Sequence, residues 1–255
     1  MLPGAGATTS VWSGQVRAFG RHFNLALVDF PGHRRKGRRP PREVAREPAY
    51  SFDGLAVELG AALDRAGLGR CHVVALSLGT IFARVWAARD PERLQSAVLA
   101  GSIADLTPLA YVLMRIGWYA RRLMPYMMLY RLYAWIIMPG QAHAATRRLF
   151  YRDARTLGRR EFNRWFCLSA QVPALLRALR RSSPSVPTLH VMGARDRMFL
   201  GGVRRLAAAD GSLVHVIADA GHVCTVEAAA AFNALALEFL LRHGGAAPLA
   251  HQTHR

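Results

Sequence analysis

The sequence predicts an α/β domain, and three observations carry that reading. An apolar run, Val73-Val74-Ala75-Leu76, stops at Ser77-Leu78-Gly79 and passes at once into a helical stretch over residues 80–90. Two further apolar runs, residues 187–192 and 213–217, read as short strands, and the second leads into the apolar spacing of a closing amphipathic helix over residues 227–242. Strand-like and helix-like segments therefore alternate in a chain of 255 residues with 52% apolar content, enough to bury one large core.

Taken in order, the first helix is predicted over residues 54–66, with Asp53 beginning or capping it and Gly67-Leu68-Gly69 ending it. The next strand ends in a turn that reads as a nucleophile elbow. A buried strand turning sharply into a helix lifts the intervening serine hydroxyl out of the sheet and leaves backbone N–H groups free beside it. The usual pattern is G-x-S-x-G. Ala75 stands in the first glycine position, where the tight turn requires a small residue and alanine is the next smallest.

A serine hydroxyl is a weak nucleophile at neutral pH and needs a base, which in turn needs an orienting acid. Asp196 follows the strand over residues 187–192 and is the candidate acid, while His222, on the loop after the last strand, is the candidate base. Nine other histidines compete with His222, and an aspartate in a loop is commonly a cap. The constellation decides: serine, acid and histidine each follow a strand, in the order Ser77, Asp196, His222.

On these residues the chain resembles the α/β-hydrolase superfamily, and within it the lidded esterase and C–C hydrolase branch. Leu2-Pro3-Gly4-Ala5-Gly6 is similar to the family's glycine-rich oxyanion loop, with Pro3 where a histidine is common, and Val28-Asp29-Phe30-Pro31-Gly32-His33 resembles the next strand and its D-x-P-G-H turn. The resemblance implies a mostly parallel central sheet flanked by helices. It also implies Ser77 as nucleophile and the backbone N–H groups of Ala5 and Leu78 as the oxyanion hole. Because those donors are main-chain, Pro3 need not abolish them. Serine at the elbow separates the chain from branches that use an aspartate nucleophile. Asp105, after the strand expected over residues 96–101, is the runner-up acid, since some members place the carboxylate there. In this fold a hairpin and a central strand precede the oxyanion loop, so the resemblance implies that N-terminal strands are missing and that the natural chain begins some 20 or more residues upstream, as usual strand lengths suggest.

The same comparison divides the chain into a first core part over residues 1–104, a helical lid over 105–184, a second core part over 185–243 and an unstructured tail over 244–255. Within the lid, helices are expected over residues 111–119, 123–138, 142–157 and 160–179, with Pro125, Pro139 and Pro173 as breaks or kinks. The apolar run over residues 123–138 is too short for a membrane span, which needs about 20 apolar residues, and it carries Arg131 in its middle. It is expected to pack on the core and line an apolar pocket, with Met127, Tyr130 and Trp135 as candidate pocket residues.

Composition narrows the rest. Cys71, Cys167 and Cys224 show neither paired nor metal-ligand spacing, no signal-peptide pattern opens the chain, and the glycine-rich start lacks a phosphate loop's Lys-Ser/Thr. No cofactor and a cytoplasmic location are the expectations. The formal net charge of +18 is built almost wholly from arginine: Arg34, Arg35, Lys36, Arg38, Arg39 and Arg42 crowd one loop, and the lid helices add many more arginines against only Asp153 and Glu161. No nucleic-acid-binding motif accompanies it, so nucleic acid is not an expected partner, and peripheral contact with anionic membrane is the alternative to a merely solvated loop. The functional expectation is a serine hydrolase acting on a carboxylic ester with a small or medium apolar acyl group. Hydrolysis of a C–C bond in a vinylogous diketone and a ligand-binding protein that keeps the hydrolase shell are the alternatives.

Overall fold

A computed structural model describes residues 1–32, 50–181 and 186–244. The basic loop and the C-terminal tail lie outside these residues, as does His33.

Four strands, β1 (Cys71–Leu76), β2 (Leu94–Ala100), β3 (Thr188–Gly193) and β4 (Leu213–Ile217), form a parallel sheet in the order β1-β2-β3-β4. Register is fixed by pairs such as Ala75 with Leu99, Leu99 with His190 and His190 with Val214. Strands covered on both faces read as unbroken apolar runs, which is why β1 and β3 were conspicuous in the sequence. Side chains alternate between two cores. Val73, Ala75, Ala97 and Leu99 enter one, with Phe52, Phe82 and Trp86, while Val74, Leu76, Val98 and Ala100 enter the other, with Trp12, Phe19 and Phe232. β4 lies at the sheet edge and is only half covered, with Leu213 exposed.

The helices that close the first face are α2 (Phe52–Arg65) and α3 (Leu78–Arg89); α1 (Ser13–Phe19) and the later C-terminal helix close the second. The cap of α2 differs from expectation. Ser51, in extended conformation, accepts the Gly54 N–H on its hydroxyl at 3.0 Å, and Asp53 sits inside the first turn, where a carboxylate favours the helix's positive end. The segment around Val28, which the resemblance marks as a strand, is not one. It meets the chain start through the Met1 amine donating to the Ala26 carbonyl at 2.6 Å and the Val28 N–H donating to the Met1 carbonyl at 3.2 Å. Contact with a single residue makes no ladder. Leu2 itself bridges Ala75 in parallel, so β1 is flanked on both sides.

Among the described residues, five α-helices lie between β2 and β3: α4 (Pro108–Leu123), α5 (Tyr126–Ile137), α6 (Ala144–Ala154), α7 (Gly158–Leu168) and α8 (Val172–Leu179). The stretch expected as one helix over residues 160–179 is two, because Pro173 falls in the first turn of α8, a position that needs no N–H. Pro125 is the N-cap of α5, so α5 begins three residues later than expected. After β3 comes α9 (Leu200–Asp210), which the sequence reading did not single out. After β4 come α10 (Cys224–Glu227) and α11 (Ala229–His243).

Candidate active site

Ser77 is the single residue between β1 and α3, and its backbone is held at φ 52°, ψ −119°; among the described residues it is the only non-glycine with positive φ. Such a conformation costs of order 1–3 kcal/mol and persists only where neighbours over-determine it. Here the Ser77 N–H donates to the Ala100 carbonyl at 2.9 Å, and its own carbonyl accepts from the Thr80 hydroxyl at 2.6 Å. The turn also needs Gly79, because a Cβ there would lie 2.6 Å from the Pro3 carbonyl oxygen. Ala75 has no exposed surface, which accounts for the small residue in the first elbow position.

The structure brings Ser77, Asp196 and His222 together. His222 Nδ1 lies 2.8 Å from Asp196 Oδ2 and His222 Nε2 lies 2.9 Å from Ser77 Oγ. With Nδ1 donating its proton to the carboxylate, Nε2 is left with the lone pair and accepts from the serine hydroxyl. Asp196 sits on the turn between β3 and α9, where its Oδ1 accepts from the backbone N–H groups of Met198 at 3.2 Å and Phe199 at 3.0 Å. It is 2% exposed and His222 is 4% exposed, so neither ring nor carboxylate is free to swing. The Phe199 ring packs on the imidazole with centroids 5.1 Å apart. Gly101, at φ 49°, lets the loop after β2 pass against His222, since a Cβ there would lie 2.2 Å from the His222 carbonyl oxygen.

Asp105, the runner-up acid, is engaged elsewhere. Its Oδ2 pairs with Arg180 at 2.8 Å and lies 3.6 Å from Arg205.

A family model for the alpha/beta hydrolase fold matches residues 1–229. The chain belongs to that family. It is 36% identical over 102 residues to a pimeloyl-[acyl-carrier protein] methyl ester esterase of Aeromonas hydrophila, a match spanning 40% of this chain and 36% of that protein. It is 33% identical over 106 residues to the putative carbamate hydrolase RutD of Pseudomonas savastanoi pv. phaseolicola, across 41% of this chain and 38% of that one. The chain thus matches little more than a third of the length of these curated relatives. Among solved structures, a hydrolase from Pseudomonas aeruginosa superposes with a TM-score of 0.77 at 26% identity, covering 94% of this chain and 88% of that one. The enol-lactonase from Burkholderia xenovorans LB400 gives 0.73 at 21% identity, with coverage of 94% and 89%.

In this alpha/beta hydrolase the serine opens into a cavity of about 260 Å³, lined by the turn at Ala5 and Gly6 and by apolar side chains from the inserted helices, including Ile137, Phe162 and Val172. Leu78 also lines it, and as the first residue of α3 its N–H has no acceptor within the helix. The Tyr130 hydroxyl donates to the Ala5 carbonyl at 3.1 Å, so Tyr130 lines the cavity as the sequence suggested. Met127 and Trp135 do not line it. On α5 Trp135 points away from the face that carries Tyr130 and Tyr133 and is exposed, while Met127, three residues before Tyr130 and on the same side of the helix, is half-buried outside the cavity lining. Among the described residues, no three His, Cys, Asp or Glu side chains gather as a metal site.

Two supporting groups were invisible in the sequence. Glu227, read only as the start of the closing helix, accepts the Gly221 N–H at 2.6 Å immediately before His222. Its other oxygen lies 2.9 Å from His143 Nδ1, at ion-pair distance though not aligned as a hydrogen bond. His143 belongs to the short turn Gln141–His143 leading into α6, so the inserted helices brace the histidine loop. No local pattern marks this pair, because the contact joins residues more than eighty apart.

Proposed function

We propose that the protein is a serine hydrolase that cleaves a carboxylic ester with a small or medium apolar acyl group through an acyl-enzyme on Ser77. The observation that carries the reading is the continuous chain Ser77 Oγ, His222 Nε2, His222 Nδ1, Asp196 Oδ2, each link 2.9 Å or shorter, at the wall of an apolar cavity. Ser77 Oγ attacks the ester carbonyl carbon as its proton passes to His222 Nε2. Asp196 then faces the imidazolium it stabilises, and the N–H groups of Leu78 and Ala5 receive the developing oxyanion. The C–O bond breaks, the leaving alcohol takes the proton from His222, and a water deprotonated at the same nitrogen hydrolyses the acyl-enzyme.

The names of two sequence relatives, a methyl ester esterase and a putative carbamate hydrolase, support hydrolysis of an ester or amide. The helices α4 to α8 act in this reading as a lid that excludes water and sizes the acyl group. A series of p-nitrophenyl esters of increasing acyl length tests it. Turnover should peak at a short or medium chain and fall at least 1,000-fold in Ser77→Ala, as loss of a triad member does. Equal turnover in that variant would reject the reading.

A further inference from the structure

Two of the inserted helices, α4 and α5, expose apolar side chains to the outside. On α4, Leu109, Val112, Ile116, Tyr119 and Leu123 recur at spacings of three and four residues, which is one helix face, and they are 51% to 86% exposed. On α5, Met128, Leu132 and Trp135 repeat the pattern at 46% to 56% exposure. The two helices are held side by side, with the Tyr133 hydroxyl donating to the Leu113 carbonyl. Singly exposed apolar residues are ordinary, but a two-helix stripe is a surface that expects a partner.

The charges around the stripe say which partner. No Asp or Glu occurs between residues 106 and 152, whereas Arg115 and Arg122 are exposed and, at 100° per residue, flank the stripe on α4, and Arg131 does so on α5. Trp118, beside the same edge, carries the Arg121 guanidinium 3.8 Å over its ring. Apolar side chains bordered by arginine and tryptophan are the layout of a helix lying in a bilayer interface. A second copy of the chain fits less well, since a symmetric contact would set arginines against arginines. No described helix is long and apolar enough to cross a membrane, so the stripe can lie on a bilayer and not span it.

We propose that the α4–α5 face docks on an anionic lipid surface. The inner sides of the same helices line a second apolar lobe of about 230 Å³, which reaches Ser77 past Leu113, Met114 and Ile136. Docking therefore places a bilayer against the outside of the wall that encloses the site. That this brings a lipid-dissolved ester to Ser77 rests on the hydrolase reading; the docking itself does not.

The test is cosedimentation of the Ser77→Ala protein, which cannot consume the lipid, with vesicles of phosphatidylcholine alone or mixed with phosphatidylglycerol. Binding is expected to the mixed vesicles and to weaken at high salt. The pair Ile116→Gln and Leu123→Gln should lower it about tenfold or more by removing the inserted side chains. In an otherwise native chain, that pair should leave turnover of a soluble p-nitrophenyl ester unchanged. Met128→Gln with Leu132→Gln gives an independent pair should the first not fold, as judged by circular dichroism. Unchanged vesicle binding in folded glutamine variants would overturn the proposal, because charge alone would then suffice. So would absence of binding at low salt, whether the protein stays monomeric or self-associates through the stripe. Loss of ester turnover in the unmodified chain would strike the hydrolase reading only and leave the vesicle result standing.

Discussion

At Ser77 local stability and chemistry pull in opposite directions. A Cβ-bearing residue at φ 52° is strained, and the strain is maintained because it places Oγ 2.9 Å from His222 Nε2. The comparison of Ser77→Gly with Ser77→Ala isolates this effect, since both lack the hydroxyl and only alanine keeps the strained Cβ. Glycine elsewhere is worse than alanine by roughly 0.5–1 kcal/mol. Here we expect the order to reverse, with Ser77→Gly the more stable by about 1 kcal/mol and visible as a higher melting temperature. The same residue was the most legible in the sequence, because strand, small residue, serine and glycine lie within a few positions. Asp196 and His222 were legible by their places after strands. Glu227 and His143 were not, because nothing local distinguishes a carboxylate that holds the loop before His222 from one that starts a helix.

At the scale of elements, the inserted helices are fastened to the core by the two acids that stand among their many arginines. Asp153, on α6, accepts on Oδ2 from the Thr8 N–H at 3.0 Å and from the Thr8 and Ser10 hydroxyls at 2.7 and 2.6 Å. Glu161, on α7, accepts from the Tyr50 hydroxyl at 2.7 Å and pairs with Arg164 at 3.1 Å. No local pattern in the sequence marks either acid, because their contacts to Thr8, Ser10 and Tyr50 cross more than a hundred residues. Burial by itself would raise the Asp153 pKa, but the hydrogen bonds from Ser10, Thr8 and Arg152 outweigh it and hold the carboxyl below its ordinary value. A carboxyl whose folded pKa is depressed contributes stability above its unfolded pKa of about 3.8 and loses it as pH falls through the folded value. Asp153→Ala should therefore cost about 2–3 kcal/mol near neutral pH, by leaving three donors unpaired, and the gap to the parent protein should close in acid. Denaturant unfolding at neutral and strongly acidic pH checks both the cost and its sign.

For the whole molecule, the alternation of apolar runs with helical stretches was sufficient to place the sheet, because strands buried on both faces leave little room for polar residues. Helix junctions were less legible. α7 and α8 read as one helix since Pro173 is compatible with either a kink or a first turn, and only packing chooses. The cavity walls were least legible of all. Trp135 and Tyr130 belong to the same apolar run, yet one faces solvent and the other the serine, a difference set by how α5 lies on the core. The architecture as a whole places one serine hydroxyl 2.9 Å from a buried histidine at the wall of an apolar cavity. The most direct test is to treat the protein with a fluorophosphonate, which reacts with activated serines, and to locate the adduct by peptide mass spectrometry. One adduct per chain is expected, on Ser77, and lost when His222 is replaced by alanine; a folded protein that stays unlabelled, or is labelled at another residue, would contradict the assignment of Ser77 as nucleophile.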